Sequence, residues 1–451
     1  MNKEAQVIAV ERTLPPPSLQ GVDGPRVIAK VRRRLLPFLA LCFFANYLDR
    51  VNIGFAALQM NKDLGLSATV FGLGSGIFFF SYAAFEVPSN FMLERVGARL
   101  WIARILLSWG LVSALMALGW NEASFLSLRL LLGLAEAGFF PGVVLYLTFW
   151  MPQATRAVAL SVFMLAIPIS SVIGAPLSGF ILEALHDAGG AKAWQWLFVI
   201  EALPSIVLGV MAFFWLTDRP RQARWLAPSE GEWLQRTLDA ERAAHPESAR
   251  EPGLKTLLTG DVATLSAIYF GVVLTLYGLV FWLPQIVQDF GFSPLIVGLL
   301  TAAPYVVGSL SMFFWSRHVD RHGGHALHAA LASLLSAAGL ALCGALATPA
   351  LTILALSVSA AGTFAMFPIF WAFATKRLPP AQATGAIALI NAIAALAGFL
   401  GPYLVGWIKD ATGAFHYAPP ALALGPLISA SLLLKIARSA KVQMRFTPTD
   451  P

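Results

Sequence analysis

FGLGSGIFFFSYAAF, residues 71–85, carries no charge and does not alternate between apolar and polar positions. A half-buried strand alternates with period two, and a strand of a membrane barrel is only about ten residues long. The run is one of twelve stretches of roughly 20 mainly apolar residues, the length that crosses a hydrocarbon core about 30 Å thick. They are expected at 35–58, 70–93, 100–118, 125–150, 157–182, 196–217, 262–284, 295–315, 326–346, 350–375, 383–408 and 419–437. Of 451 residues, 57% are hydrophobic and 12% charged, against about 25% charged in ordinary soluble domains. The fold class is therefore an all-α polytopic membrane protein, and a soluble globular fold is excluded.

The net charge of +7 raises the question of nucleic acid, but its distribution gives a different answer. Arg26, Lys30, Arg32, Arg33, Arg34, Arg95, Arg99, Arg156, Arg317, Arg321, Lys376, Arg377 and the tail from Lys435 to Arg445 fall on one side of the spans. The other side offers Lys62, Lys192 and Lys409. Basic loops stay in the cytoplasm, so both termini are expected there, and nucleic acid has no role. VRRRLLPFLALCFF is too long in its apolar part for a cleaved signal, and no small-residue cleavage site precedes Asn46. Cys42 and Cys343 both lie within predicted spans and read as packing residues.

Residues 1–34, with PPPSLQGVDGP, read as a cytoplasmic tail. A polar segment at 218–261 separates six spans (35–217) from six (262–437), and 438–451 form a second tail. The halves repeat. Asn90, Glu94, Arg95, Gly97 and Arg99 align with Ser316, Asp320, Arg321, Gly323 and His325 at an offset of 226, which also places Pro176 on Pro402.

The acid-base-Gly-base loop after spans 2 and 8, with the six-plus-six layout, resembles the major facilitator superfamily. NYLDRVNIGFA (46–56), FEVPSNFMLERVGARLWIARI (85–105), RLLLGLAEAGFFPG (129–142), WQWLFVIEALP (194–204), DRPRQARWLAPSE (218–230) and ALINAIAALAGFLGPYLVGWIKDATG (388–413) are similar to its anion:cation symporter branch. That branch includes bacterial tartrate, phthalate and sugar-acid carriers. The loop motif departs from the family pattern at Asn90 and Ser316 (usually Gly), Glu94 (usually Asp) and Ala98 (usually a base). The resemblance implies two pseudo-symmetric six-helix bundles, a bacterial inner membrane and a secondary transporter working by alternating access. It implies no cofactor beyond a proton gradient, and a monomer whose partners are a small organic anion, protons and the bilayer.

A charge in the bilayer interior costs about 2.5 kcal/mol or more and so faces a partner or a water-filled cavity. The candidates are Asp49, Arg50, Glu86, Arg129, Glu136 and Glu201. Asp49, Arg50, Arg129 and Glu136 are expected at one depth and in one cavity if spans 1 and 4 are neighbours, as the superfamily fold implies. A carboxylate there gains proton affinity from desolvation and loses it to a nearby arginine, so exchange of partners switches its protonation. An incoming carboxylate prefers the arginine fork. By the resemblance, Arg50 clamps the substrate, Asp49 and Glu136 carry protons, and Arg129 partners Glu136. Glu86 is a gate residue or a packing one, and Glu201 is expected close enough to a surface to snorkel.

By family position Tyr47, Tyr82 and Asn391 contact substrate and Trp371 lines the cavity; each also reads as a packing residue, and Asn52 is a further polar candidate. The loop residues Glu94, Arg95, Gly97, Arg99, Asp320, Arg321 and Gly323 belong to the conformational motif. A metal at His318, His322, His325 and His328 is disfavoured because those residues overlap that motif. FGLGSG lacks the lysine and strand of a nucleotide loop. No nucleophile-base pair points to an enzyme. The expected activity is proton-coupled uptake of a phthalate- or tartrate-like anion, since span 10 is rich in Phe and Trp and residue 167 is Ile. A sugar-acid symporter, a passive facilitator, a sensor and a static salt-bridge set remain the alternatives.

Overall fold

The computed structural model describes residues 22–186, 188–244, 259–346, 348–378 and 383–446. Among them, eleven helices are long and apolar enough to cross a membrane: Ala68–Val96, Ala98–Leu118, Glu122–Thr148, Gln153–Ala184, Ala193–Trp215, Gly260–Val280, Pro294–His322, His325–Ala345, Pro349–Arg377, Gly385–Thr412 and Phe415–Arg438. We number these spans 2 to 12. Span 1 is Gly24–Asp63. It falls outside the apolar set because Asn46, Tyr47, Asp49, Arg50 and Asn52 interrupt its hydrophobic run. The helix least suited to lipid is the one that carries Asp49 and Arg50.

Span 1 begins eleven residues before the expected 35. Asp23 caps its N-terminus by accepting from Arg26 N at 3.1 Å, and Val27, Val31 and Leu35 form a buried stripe at helical spacing. Residues 1–21 of the expected tail lie outside the described residues. The 218–261 segment also contains structure, a helix over Pro228–Ala244 that packs against the start of span 1. There Lys30 pairs with Glu230 and holds that carboxyl below its usual range. Arg34 lies over the rings of Trp215 and Trp225, 4.2 and 5.2 Å from their centres.

The repeat extends from sequence to packing. Span 1 packs with spans 5 and 6, span 2 with span 4, and span 3 with span 6; in the second half span 7 packs with 11 and 12, span 8 with 10, and span 9 with 12. Spans 2 and 8 also stop in the same way. Gly97 and Gly323 take positive φ, +99° and +75°, where a side chain would be strained, and their N–H groups close onto Leu93 O and Val319 O. Glu94 and Arg95, with Asp320 and Arg321, occupy the last turns before these glycines. Arg99 N donates to Asp218 Oδ1 at 2.9 Å, which ties the loop after span 2 to the end of span 6.

The halves meet along spans 2 and 11 and along spans 5 and 8, most tightly at the end bearing the loops after the odd-numbered spans. A Cβ on Gly72 would lie 2.4 Å from Pro402 O, and one on Gly298 2.4 Å from Ala175 O. Small residues let the backbones touch where lipid supplies no hydrophobic drive for helix association. Carboxylates then cap helix starts across the interface. Asp410 of span 11 accepts from Ala68 N (3.1 Å) and Thr69 N (2.7 Å) of span 2, and Glu183 of span 5 accepts from Leu295 N of span 8 at 3.0 Å. Each acid satisfies free N–H groups and faces the positive end of a helix dipole.

Gly72→Val combined with Gly298→Val adds overpacking of about 1–3 kcal/mol per site, each enough on its own to move a two-state equilibrium roughly 5–150-fold. Spin-label distances across the odd-loop ends of spans 2 and 11 are expected to lengthen in the double variant. Unchanged distances would mean that this contact does not hold the halves together.

Candidate functional site

Arg50 lies about two thirds of the way along span 1 and its side chain turns toward the interface between the halves. Its Nη2 donates to Glu136 Oε1 of span 4 and its Nη1 to the Tyr277 hydroxyl of span 7 at 3.3 Å. One guanidinium thus binds a carboxylate of its own half and a phenol of the other. Rings surround it: the centres of Tyr47, Phe78 and Tyr82 lie 5.1, 5.3 and 5.9 Å from Arg50 Cζ. Phe79 and Tyr277 extend this wall across the interface, their centres 4.3 Å apart.

Glu136 reaches Arg50 because span 4 breaks there. The helix Glu122–Glu136 ends on it, Gly138 makes a left-handed turn, and a second helix starts at Phe139. The pair therefore forms at a helix C-terminus, where a cation is favoured. Residue Glu136 is 2% exposed, so its charge is balanced by protein.

Two expected pairings are corrected. Glu136 pairs with Arg50, whereas Arg129 donates to the carbonyls of Gly74 (3.0 Å) and Ser75 (3.4 Å) on span 2 and lies over the Phe78 ring, 5.1 Å from its centre. Arg129 and Glu136 share a helix face, but seven residues separate them by about 10 Å along the axis. Asp49 also does not share the Arg50 cavity. Its Oδ2 accepts from Trp109 Nε1 (2.7 Å) and Ser205 Oγ (2.7 Å), and its Oδ1 from Ser113 Oγ (2.9 Å). Consecutive helical residues point about 100° apart, so Asp49 faces spans 3 and 6 while Arg50 faces the interface.

The remaining candidates divide. Tyr47 and Tyr82 adjoin Arg50, as described. Trp371 of span 10 packs edge-on to Tyr269, centres 5.0 Å apart, two turns along span 7 from Tyr277. The Asn391 amide donates to Ile387 O of its own helix at 3.1 Å and is not brought to Arg50. Glu201 is 1% exposed, because it is buried against Ser178 of span 5 rather than snorkelling. Asn52 is likewise buried on the Asp49 side of span 1. His318 and His322 stack on each other and Trp315 Nε1 donates to His328 Nδ1. Tyr277 and the three donors to Asp49 were missed; a phenol in the apolar run LTLYGLVFW was the only available signal for the first.

The pattern for the Major Facilitator Superfamily matches residues 39–402. A chain of Agrobacterium vitis described as "Putative tartrate transporter" is 46% identical, with 92% of each chain covered. A "Quinolone resistance transporter" of Acinetobacter baumannii is 37% identical, covering 94% of this chain and 97% of its own length. The inward-facing, unoccupied crystal structure of a bacterial homologue of the human lysosomal transporter Spinster has the same fold, with a TM-score of 0.72 at 17% identity over 91% of this chain and 97% of that one. With its twelve spans, repeated halves and central charged site, the chain belongs to the major facilitator superfamily.

Proposed function

We propose that the protein carries an organic carboxylate into the cell together with protons, by alternating access around Arg50. The observation behind this reading is the Arg50–Glu136 pair, with Tyr277 of the second half on the same guanidinium. A substrate carboxylate competes with Glu136 for the arginine fork. Once displaced, Glu136 is a carboxylate in a buried site without its cation, and it takes up a proton. Anion and proton are thereby loaded together, with one substrate carboxylate replacing the charge of Glu136 on Arg50. With the basic loops in the cytoplasm, the tight odd-loop contacts close the outer side.

The substrate is a compact dicarboxylate of the tartrate kind. The wall of Tyr47, Tyr82 and Tyr277 offers hydroxyls for a substrate's own hydroxyl groups, and the relative 46% identical to this chain bears a tartrate name. Phthalate is the second reading, favoured by the flat faces of Phe78, Phe79 and Tyr277. Sugar acids need more hydrogen-bond partners than this wall supplies. One relative is described as a "Quinolone resistance transporter", so direction is part of the test.

Purified protein in liposomes should accumulate labelled tartrate only with an inwardly directed proton gradient; accumulation without one would remove proton coupling. Arg50→Lys keeps the charge but loses the planar fork, and uptake should fall at least tenfold, which corresponds to about 1.4 kcal/mol of anion recognition. Wild-type rates in that variant would exclude Arg50 as the clamp. Glu136→Gln removes the internal competitor. Tartrate affinity should rise and its pH dependence weaken, while uphill uptake falls; a pH-dependent affinity like that of the wild type would place the proton elsewhere.

A further inference from the structure

Inside the first half, on the side of span 1 opposite Arg50, lies a second pair of buried acids. Asp49 and Glu201 are 3% and 1% exposed. They are joined by adjacent helical turns: Ser205, one turn beyond Glu201 on span 6, donates to Asp49, and Asn52, one turn beyond Asp49 on span 1, stands beside Glu201. Span 5 supplies Ser178, whose Oγ donates to Glu201 Oε1 at 2.7 Å. Span 3 supplies Trp109 and Ser113, both directed at Asp49. Among the described residues, the groups that act on these two carboxyls are neutral donors, the charge of Asp49 on Glu201 and, from the Arg50 pair, the charge of Glu136 on Asp49; no cation is among them.

Two carboxylates in a dry pocket without a cation cannot both be ionised. The hydrogen bonds indicate where the proton sits. An ionised carboxylate only accepts, whereas a protonated one needs an acceptor for its own O–H. Asp49 receives three donors across both oxygens and is arranged as the charged member. Glu201 receives one, on Oε1. Its Oε2 and both polar atoms of the Asn52 amide make no complete hydrogen bond among the described residues; Asn52 stands beside Glu201, and an O–H on Oε2 donating to Asn52 Oδ1 is one arrangement that satisfies both oxygens.

We infer that Glu201 is a second proton-carrying carboxylate, sharing one proton with Asp49 in a pocket separate from the Arg50–Glu136 pair. This rests on the proton-coupled reading above. Asp49 and Arg50 are neighbours on one helix, so a movement of span 1 that separates Arg50 from Glu136 also shifts Asp49 against Ser205 and Trp109. As Asp49 loses donors it takes the Glu201 proton and gives it up to the side then open when its donors return, while the ionised Glu201 takes a replacement proton from the opposite side, so that one proton crosses per cycle. Span 1 thereby links the substrate site to the pocket.

The test uses the full chain in liposomes. Infrared spectra at neutral pH should contain a protonated-carboxyl stretch that Glu201→Gln removes and Ser178→Ala shifts, because that change deletes the bond to Oε1. Reversal potentials for tartrate should show one proton fewer per anion in Glu201→Gln than in the wild type. A stretch unaltered by both substitutions, or an unchanged proton-to-anion ratio in a folded Glu201→Gln protein, overturns the inference. Should Glu201→Gln fail to fold, the Ser178→Ala shift alone decides, and its absence overturns the inference. If the wild type itself shows no proton coupling, the transport reading fails instead, and the spectra still report where the proton resides.

Discussion

A guanidinium cannot remain in a bilayer interior without compensation, and the arrangement around Arg50 follows from that constraint. Glu136 supplies the opposite charge, Tyr277 a hydroxyl, and three aromatic rings their faces. The break in span 4 brings Glu136 to the arginine and lets its last turn contribute a favourable dipole. Because Tyr277 belongs to the second half, the same guanidinium also bridges the halves. Any anion that claims Arg50 acts on an ion pair within one half and on a contact between the two.

Adjacent positions on span 1 give the protein two polar sites. Asp49 faces spans 3 and 6 and closes the interior of the first half with Trp109, Ser113 and Ser205. Arg50, about 100° around the helix, faces the interface. The polar cluster that makes span 1 the least apolar of the twelve therefore serves two surfaces. A rigid helix shared between them is a physical means of coupling, since neither site can move along it alone. At the odd-loop end, glycine contacts and acid caps related by the same internal repeat hold spans 2 with 11 and 5 with 8.

Much of this was legible in the sequence because membrane spans are long and each reports its own burial. The twelve spans, the six-plus-six division and the Gly97–Gly323 stops follow from run length, charge placement and a fixed offset. Arg50 and Glu136 were legible as buried candidates because charge in an apolar run is costly wherever it points. Direction was not legible. Which way Asp49 turns depends on the packing of spans 3 and 6 against span 1, and Arg129 directs its hydrogen bonds to backbone carbonyls of span 2 while Glu136 acts on it through charge alone. The helical start at Gly24 was hidden by its basic residues, although Val27, Val31 and Leu35 already stood at helical spacing.

The central claim is that an anion displaces Glu136 from Arg50 and that the freed carboxylate takes a proton. Calorimetric titration with tartrate in buffers of different ionisation enthalpy measures this directly, because the proton count appears as the dependence of the observed heat on the buffer. The account predicts net proton uptake on binding by the wild type near neutral pH. Binding with no buffer dependence would contradict it.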